Sequence, residues 1–207
     1  DAFDDWTAAD GTTIAGRELY RAAASHCAAH IVETRQPVSA EGLTPLQMAL
    51  ISAVEDARVE SLAIRRFPGL RALWCKFHSA NPREDAGIGD FLNRMARALL
   101  DPDYADHDPW VTQARALFAQ AENAGRLGNN GISWEIGVQL AHSLGDKRLN
   151  FNPRTDVQRA PYRDDNRYFW DFREYDFARA ASAGYEPPRQ LRKYVSLMEM
   201  ANEVDVE

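Results

Sequence analysis

Residues 45–67 constrain the fold most tightly, because they combine a long helical pattern with charged residues in its middle. Thr44 is a favourable N-cap, and Pro45 suits the first turn of a helix. Apolar and small side chains then recur in two adjacent helical rows, which are Leu46, Leu50, Val54, Ala57, Ser61 and Ile64, and Met48, Ile51, Val59 and Leu62. Two such rows predict a helix that is buried on most of its circumference.

Charged residues nevertheless occupy the centre of this helix, at Glu55, Asp56, Arg58 and Glu60. A charge in the interior must be paired, bind a metal ion or belong to a functional site, because isolating it from water is costly. We therefore expect these four side chains to form a buried polar network that fixes the register of the helix against its neighbours.

The pattern of the remaining chain predicts an all-α fold. We expect an irregular multi-helix bundle with about five to seven helices. Helical periodicity and capping signals mark the following segments: 13–34, 45–67, 70–78, 88–100, 109–124, 132–144 and 187–202. No domain boundary is visible, so residues 1–207 are interpreted as a single helical domain. Because the sequence begins with Asp1, we expect it to be a fragment of a longer protein.

Residues 146–180 differ from the rest, because they lack helical periodicity and are dense in aromatic, Arg and Asp residues. We expect an extended arm with one or two short strands, packed on the helical body. Aromatic residues and Arg are typical of interface cores, so the arm could bind a partner through Arg163, Asp164, Asp165, Arg167 and Trp170. The alternative is that it packs only on its own domain.

Composition excludes several classes of function. The net charge of −7 argues against a nucleic-acid-binding surface, which needs clustered Lys and Arg. No apolar run approaches the ~20 residues of a membrane span, and no signal peptide is visible. Cys27 and Cys75 fall in predicted buried helices, so we expect reduced core thiols in a cytoplasmic protein.

His26 and His30 form the one pattern that is typical of a metal site. Side chains at i and i+4 project from the same face of a helix, so both imidazoles could bind one divalent metal ion. The predicted third ligand comes from the next helix and is Glu55, with Asp56 and Glu60 as the alternatives. Cys27 occupies the position that the general base Glu has in the H-E-x-x-H motif, so hydrolysis by that route is not expected. Alternatively, the two histidines only form hydrogen bonds to Glu55 and Glu60.

Other catalytic motifs are missing from the sequence. His142 lies in the last turn of a predicted helix, where the helix dipole favours a cation, and needs no catalytic explanation. Neither a Walker A motif, nor G-x-G-x-x-G, nor G-x-S-x-G occurs. We therefore predict no catalytic residues and no bound organic cofactor.

Several stretches together resemble one known family. They are V-E-D-A-R-V-E at 54–60, R-R-F-P-G-L-R-A-L-W at 65–74 and A-x-x-x-A-A-H at 24–30. Two later stretches, G-D-x-R-x-x-F-N-P at 145–153 and P-Y-R-D-D-N-R-Y-x-W at 161–170, are similar as well. The chain thereby resembles the nitric oxide reductase activation protein D and Rubisco activase O-subunit family, in the region before its von Willebrand factor A domain.

This resemblance implies an accessory protein rather than an enzyme. Members of the family act with a MoxR-type AAA+ ATPase and link it to a client enzyme, such as a nitric oxide reductase or Rubisco, that needs activation or maturation. The resemblance thus implies a non-catalytic scaffold or adaptor domain. The D-x-S-x-S motif of the von Willebrand factor A domain does not occur in this sequence. The alternative is a metal-dependent enzyme derived from a zinc-peptidase-like helix pair.

Overall fold

Six α-helices dominate the part of the chain that the computed structural model describes, which is residues 4–8, 10–84, 86–145, 147, 149–156 and 160–173. They are α1 (Gly16–Glu33), α2 (Pro45–Arg66), α3 (Gly69–Cys75), α4 (Ile88–Leu100), α5 (Pro109–Asn123) and α6 (Gly131–Gly145). The prediction of an all-α multi-helix protein is confirmed. The predicted helix over 187–202 and the end of the arm, 174–180, lie outside the described residues.

Local sequence signals explain where the helices begin. Thr44 and Gln47 form a capping box at α2, in which Thr44 Oγ1 accepts from the Gln47 backbone N–H and Gln47 Oε1 accepts from the Thr44 backbone N–H. Asp108 caps α5 by accepting hydrogen bonds from the backbone N–H groups of Trp110 and Val111. Both caps precede a proline at the first helical position.

Two small sheets supplement the helices. Strands β1 (Trp6–Thr7) and β2 (Thr13–Ile14) are antiparallel, so α1 begins at Gly16 rather than at residue 13 as predicted. Strands β3 (Val38–Ser39) and β4 (Trp170–Asp171) are parallel. The second pairing attaches the late segment 160–173 to the connection between α1 and α2.

Helix α2 is the central element of the fold, and it packs against α1, α3, α4 and α6. Its approach to α6 is close at Gly137, where an added Cβ would lie 2.6 Å from the Ile51 Cα. Its apolar side chains Leu50, Ala53, Val54 and Ala57 belong to the largest core cluster, which α4, α5 and α6 complete. The burial of α2 on most sides agrees with the two rows of apolar residues.

A second apolar cluster joins α1, α2 and α3 to the late segment. It contains Leu19, Val59, Trp74, Phe77 and Tyr162, and the Trp74 and Tyr162 rings are stacked with centroids 6.1 Å apart. Helix α2 contributes side chains to both clusters and also carries the buried charges.

The predicted burial of both cysteines is wrong in one case. Cys27 is exposed, because it lies on the outer face of α1. Cys75 is partly buried. No helix in the described part of the chain is long and apolar enough to cross a membrane.

Candidate functional site

The four charged residues of α2 divide into two groups that face different neighbours. Successive residues of an α-helix point about 100° apart, so Glu55 and Arg58 share one side and Asp56 and Glu60 another. All four side chains are buried, with exposed fractions between 0% and 1%. The charged side chains of α2 therefore belong to two separate polar clusters, on two sides of the helix.

The first group, the Glu55 cluster, consists of Glu55, Arg58, Thr34 and Ser133. Arg58 Nε and Nη2 donate to the two Glu55 oxygens at 2.7 Å each. Thr34 Oγ1 and Ser133 Oγ donate to the same carboxylate at 2.6 and 2.7 Å. Arg58 Nη1 donates to the Leu127 backbone carbonyl, and Nη2 also donates to the Glu33 backbone carbonyl. This cluster ties α1, α2 and α6 together, and its charges are fully paired.

Glu55 therefore does not face the two histidines, and its prediction as a third metal ligand is wrong. The physical reason is the buried Arg58, which binds both Glu55 oxygens in a bidentate pair. The acidic residues near the histidines are instead Asp56 and Glu60 of α2, together with Asp164.

The second group is the Asp56–Glu60 cluster, which also contains Tyr162, Arg163 and Asn166. Arg163 Nε and Nη2 donate to Glu60 at 2.8 and 2.5 Å, and Arg163 Nη1 lies 3.6 Å from Asp56 Oδ2. Tyr162 donates its hydroxyl proton to Glu60 at 2.9 Å, and Asn166 Nδ2 donates to Asp56 Oδ1 at 2.6 Å. The cluster thus fastens the late segment onto α2.

The electrostatics of this cluster favour charged carboxylates despite their burial. Burial by itself raises the pKa of Glu60, but the Arg163 guanidinium and His26 outweigh it and hold the pKa well below the usual range. Burial likewise acts against the charged form of Asp56, and the hydrogen bond from His30 with the Arg163 charge lowers its pKa overall. Burial acts against the charged form of Arg163, but the charges of Glu60 and Asp56 and the hydrogen bonds to Glu60 together outweigh it and raise the pKa, so Arg163 stays protonated.

The two histidines lie one turn apart on α1 and point at Asp56. His26 Nε2 is 3.7 Å and His30 Nε2 is 3.3 Å from Asp56 Oδ1, and His26 Nδ1 is 3.2 Å from Glu60 Oε1. Burial lowers the pKa of His30, but the hydrogen bond to Asp56 and nearby acidic charges raise it overall. The site can therefore hold a positive charge at this point, either a proton or a metal ion.

His78 and Tyr162 are site residues that the sequence interpretation missed. His78 Nε2 lies 2.9 Å from the Tyr162 hydroxyl oxygen. Because Tyr162 donates its proton to Glu60, its oxygen accepts from His78 Nε2–H, so Nε2 of His78 carries a proton. Burial, with the Arg163 charge, lowers the pKa of His78 to about 3.

Asp164 brings a carboxylate to the outer edge of the histidine pair. One ligand atom each from His26, His30 and Asp164 lie within 4.8 Å of one another. A pocket of about 160 Å³ adjoins this group, and its wall includes Cys27, His30, Ile31, Asp164, Asn166 and Tyr168. We call it the Ile31 pocket. Burial and the Asp164 charge raise the pKa of the Cys27 thiol, which disfavours the nucleophilic thiolate.

The residues predicted to bind a partner are only partly at the surface. Arg163 is 2% exposed in its side chain and Trp170 is 8% exposed, so neither can contact a partner in this conformation. Arg163 is held by Glu60, and Trp170 Nε1 donates to Ser52 Oγ. Asp164, Asp165 and Arg167 are exposed, and their role in partner binding stays a prediction.

Two apolar side chains at the Ile31 pocket were not singled out from the sequence. Ile31 is 84% exposed and Tyr168 is 76% exposed. An apolar residue in a helical pattern usually faces the core, so periodicity alone does not identify Ile31 as a surface residue. His142 is exposed on α6 and takes no part in either cluster.

A charge count could have predicted that Arg163 faces α2. The helix carries three carboxylates at its centre but only one arginine, so an additional cation had to come from elsewhere. Arg163 and Arg167 of segment 160–167 were candidates for that cation.

No protein-family model matches the chain, and comparisons with curated proteins and with solved structures also found no match. A functional assignment therefore depends on the geometry of the two clusters and the pocket, together with the sequence resemblance described above.

Proposed function

We propose that this chain is a non-catalytic helical adaptor domain of a cytoplasmic activator protein, which partners a MoxR-type AAA+ ATPase and helps it to activate or mature a client enzyme. The resemblance of residues 54–60 and 65–74 to the nitric oxide reductase activation protein D and Rubisco activase O-subunit family motivates this proposal. The geometry of the buried clusters and of the exposed pocket supports it in two ways.

The first support is that the buried acidic groups have structural partners. Glu55 accepts from Arg58, Thr34 and Ser133, and Glu60 accepts from Arg163 and Tyr162. A general base must lie within hydrogen-bonding reach of the substrate, and these two carboxylates are fully buried and bound by arginine side chains. Such clusters instead hold α1, α2, α6 and the late segment in fixed positions.

The second support, and the observation that carries the proposal, is the exposed apolar pair at the Ile31 pocket. Ile31 comes from α1 and Tyr168 from the late segment, and the Asp56–Glu60 cluster fixes the two elements relative to each other. Aromatic and aliphatic side chains flanked by charged residues such as Asp165 and Arg167 are typical of protein-binding surfaces. We assign this surface to the ATPase.

Binding to a purified MoxR-type ATPase tests this proposal. We expect micromolar or tighter affinity for the wild-type chain, measured by calorimetry in the presence of nucleotide. Ile31→Glu and Tyr168→Ala should each weaken binding by at least about tenfold, because each removes apolar contact area from the surface. Phe67→Ala is the matched control, since Phe67 is 65% exposed but does not line the pocket.

Two results would contradict the proposal. One is the absence of binding by the folded wild-type chain at about 100 µM, a concentration at which even weak specific complexes form. The other is equal binding by all three variants, which would place the ATPase elsewhere or make the interaction nonspecific.

A second candidate function, a metal-dependent enzyme, is favoured by one observation, the proximity of His26, His30 and Asp164. Two imidazoles and a carboxylate leave an open position on a bound ion, as catalytic sites require. The residue between the histidines that would act as base is Cys27, however, and burial and the Asp164 charge raise the pKa of its thiol. Metal-stimulated turnover of peptide or ester substrates, lost in His30→Ala, would favour this candidate over the adaptor.

A further inference from the structure

Both histidines of α1 turn the same ring nitrogen towards one point. The Nε2 atoms of His26 and His30 lie 3.7 and 3.3 Å from a single acceptor, Asp56 Oδ1. Asp56 Oδ1 already accepts a hydrogen bond from Asn166 Nδ2 at 2.6 Å. Two imidazole nitrogens therefore converge beside a carboxylate oxygen that has another donor.

The other nitrogen of each ring faces a protein oxygen that can orient it. His26 Nδ1 is 3.2 Å from Glu60 Oε1, and His30 Nδ1 is 3.1 Å from Thr34 Oγ1. Because Thr34 donates its hydroxyl proton to Glu55 at 2.6 Å, its oxygen accepts from His30 Nδ1–H. This leaves the Nε2 lone pair of a neutral His30 directed at the Asp56 carboxylate. A proton on Nε2 satisfies this contact when His30 is charged, and a metal ion would satisfy it when His30 is neutral.

His26 lacks a satisfactory partner in the same region. Its side chain is fully buried, and neither ring nitrogen has a hydrogen-bond partner of acceptable geometry among the described residues. Buried polar atoms are nearly always satisfied, so an unsatisfied one needs a physical explanation such as an absent ion. Metal-binding histidines characteristically direct one nitrogen at the ion and the other at a carboxylate or hydroxyl oxygen, and Nδ1 of each ring lies near such an oxygen here.

The charges around the histidines also favour a divalent cation. Asp56, Glu60 and Asp164 supply three negative charges and Arg163 supplies one positive charge, which leaves a net charge of −2 when both histidines are neutral. One divalent ion would neutralise this excess. The Glu55–Arg58 pair is neutral by itself and does not alter the balance.

We propose that His26 Nε2, His30 Nε2 and the Asp164 carboxylate bind one divalent transition metal ion, for which Zn²⁺ is the best match, at the inner end of the Ile31 pocket. Imidazole and carboxylate ligands suit Zn²⁺ and related ions. Ligand atoms around tetrahedral Zn²⁺ are about 3.3 Å apart. The three ligand atoms lie within 4.8 Å of one another, and the exposed Asp164 side chain is free of the core packing that holds His26, so its carboxylate can approach an ion bound by the two imidazoles.

The ion would connect α1 to the late segment from the solvent side, while Arg163 connects that segment to α2 from the inside. Because Asp164 and His30 both line the Ile31 pocket, the ion can enter without unfolding of the core. The site is structural in this proposal, and it depends neither on the adaptor function nor on catalysis.

Titration of the tag-free, chelator-treated chain with Zn²⁺ tests the site. We expect one ion per chain by calorimetry and mass spectrometry, together with a rise in melting temperature on binding. Co²⁺ should give the visible absorption of a four-coordinate site with nitrogen and oxygen ligands. Asp164→Asn should weaken Zn²⁺ binding by about tenfold or more, and His30→Ala by about a hundredfold, since each removes a ligand.

Matched controls separate this site from nonspecific binding. Asp165→Asn changes the neighbouring exposed carboxylate, and His142→Ala removes an exposed histidine on α6, so both should leave Zn²⁺ binding unchanged. The Asp164→Asn substitution preserves the size of an exposed side chain, so this variant should still fold. Circular dichroism of the variant checks that it does. Failure of the folded wild-type chain to bind Zn²⁺, Co²⁺, Fe²⁺ or Mn²⁺ saturably would overturn the proposal, as would equal loss of affinity in Asp165→Asn.

Discussion

At the scale of single residues, the defining feature is that every charge at the centre of α2 has a specific counter-group. Arg58 holds Glu55, while Arg163 holds Glu60 and approaches Asp56. Taking these charges out of water is costly, and the bidentate pairs with additional hydroxyl donors offset that cost. Removing one partner should therefore matter far more than removing a surface charge.

Glu55→Gln should lower the free energy of unfolding by about 3 kcal/mol, because it leaves the buried Arg58 guanidinium without its counter-charge. Urea denaturation followed by circular dichroism measures this change. Glu135→Gln is the matched control, since the Arg126–Glu135 pair is half exposed and should contribute less than about 1 kcal/mol. An unchanged stability of Glu55→Gln would rule out a structural role for the Glu55 cluster.

His78 predicts a specific pH dependence of stability. The buried imidazole has a pKa of about 3 in the folded chain, against an ordinary value of 6.5. Between these values the unfolded chain binds a proton that the folded chain does not bind, so stability falls as the pH decreases from 6.5 towards 3. Arg163, Arg97, Glu60 and Asp56 are the charged groups that act on this histidine.

His78→Gln should reduce this slope by up to about 1.4 kcal/mol per pH unit, because glutamine keeps a donor for Tyr162 but does not titrate. Denaturation between pH 4.5 and 6.5 is the relevant measurement, since most carboxylates are still charged there. Identical slopes for the variant and the wild type would show that His78 binds protons equally in the folded and the unfolded chain.

At the scale of elements, the position of α2 depends on a close approach to α6. Gly137 permits it, because a Cβ at this position would lie 2.6 Å from both Ile51 Cα and Ile51 Cγ1. Contact with a backbone atom cannot be relieved by a rotamer change, so the helices would have to separate. That separation would also move Ser133 away from Glu55.

Gly137→Ala should therefore lower the free energy of unfolding by about 1–3 kcal/mol, even though alanine favours helix formation. Thermal and urea denaturation measure this effect. Gly145→Ala is the control, because nothing lies within 4 Å of a Cβ at that position and stability should be equal or slightly higher. A stabilised Gly137→Ala variant would contradict the packing of α2 on α6.

Sequence periodicity predicted the positions of most helices well, but it did not predict which side chains pair between distant segments. The boundaries of α2 follow from Thr44, Pro45 and Pro68, which are local signals. The pairing of Glu60 with Arg163, 103 residues away, is not local, and nothing in either stretch specifies the other beyond complementary charge. The prediction of Glu55 as a metal ligand failed for a similar reason. Periodicity does not fix the rotation of α2 about its own axis, and a rotation by one residue exchanges the positions of Glu55 and Asp56.

At the scale of the whole molecule, segment 160–173 links the buried site to the surface. Arg163 and Tyr162 anchor it inside, strand β4 fixes its end against β3, and Tyr168 remains exposed beside Ile31. The sequence predicted that this arm packs on the body and could also bind a partner. Tyr162 and Arg163 are positioned for packing on the body, and Tyr168 is positioned for contact with a partner. The composition of the arm alone could not distinguish these residues.

Hydrogen exchange of the chain, alone and with a MoxR-type ATPase, tests the proposed adaptor function most directly. We predict slower exchange in the complex at residues 27–34 and 164–169, which surround the Ile31 pocket, and little change in α5. The adaptor assignment would be contradicted if the ATPase slowed exchange nowhere in the chain, or only in segments remote from this pocket.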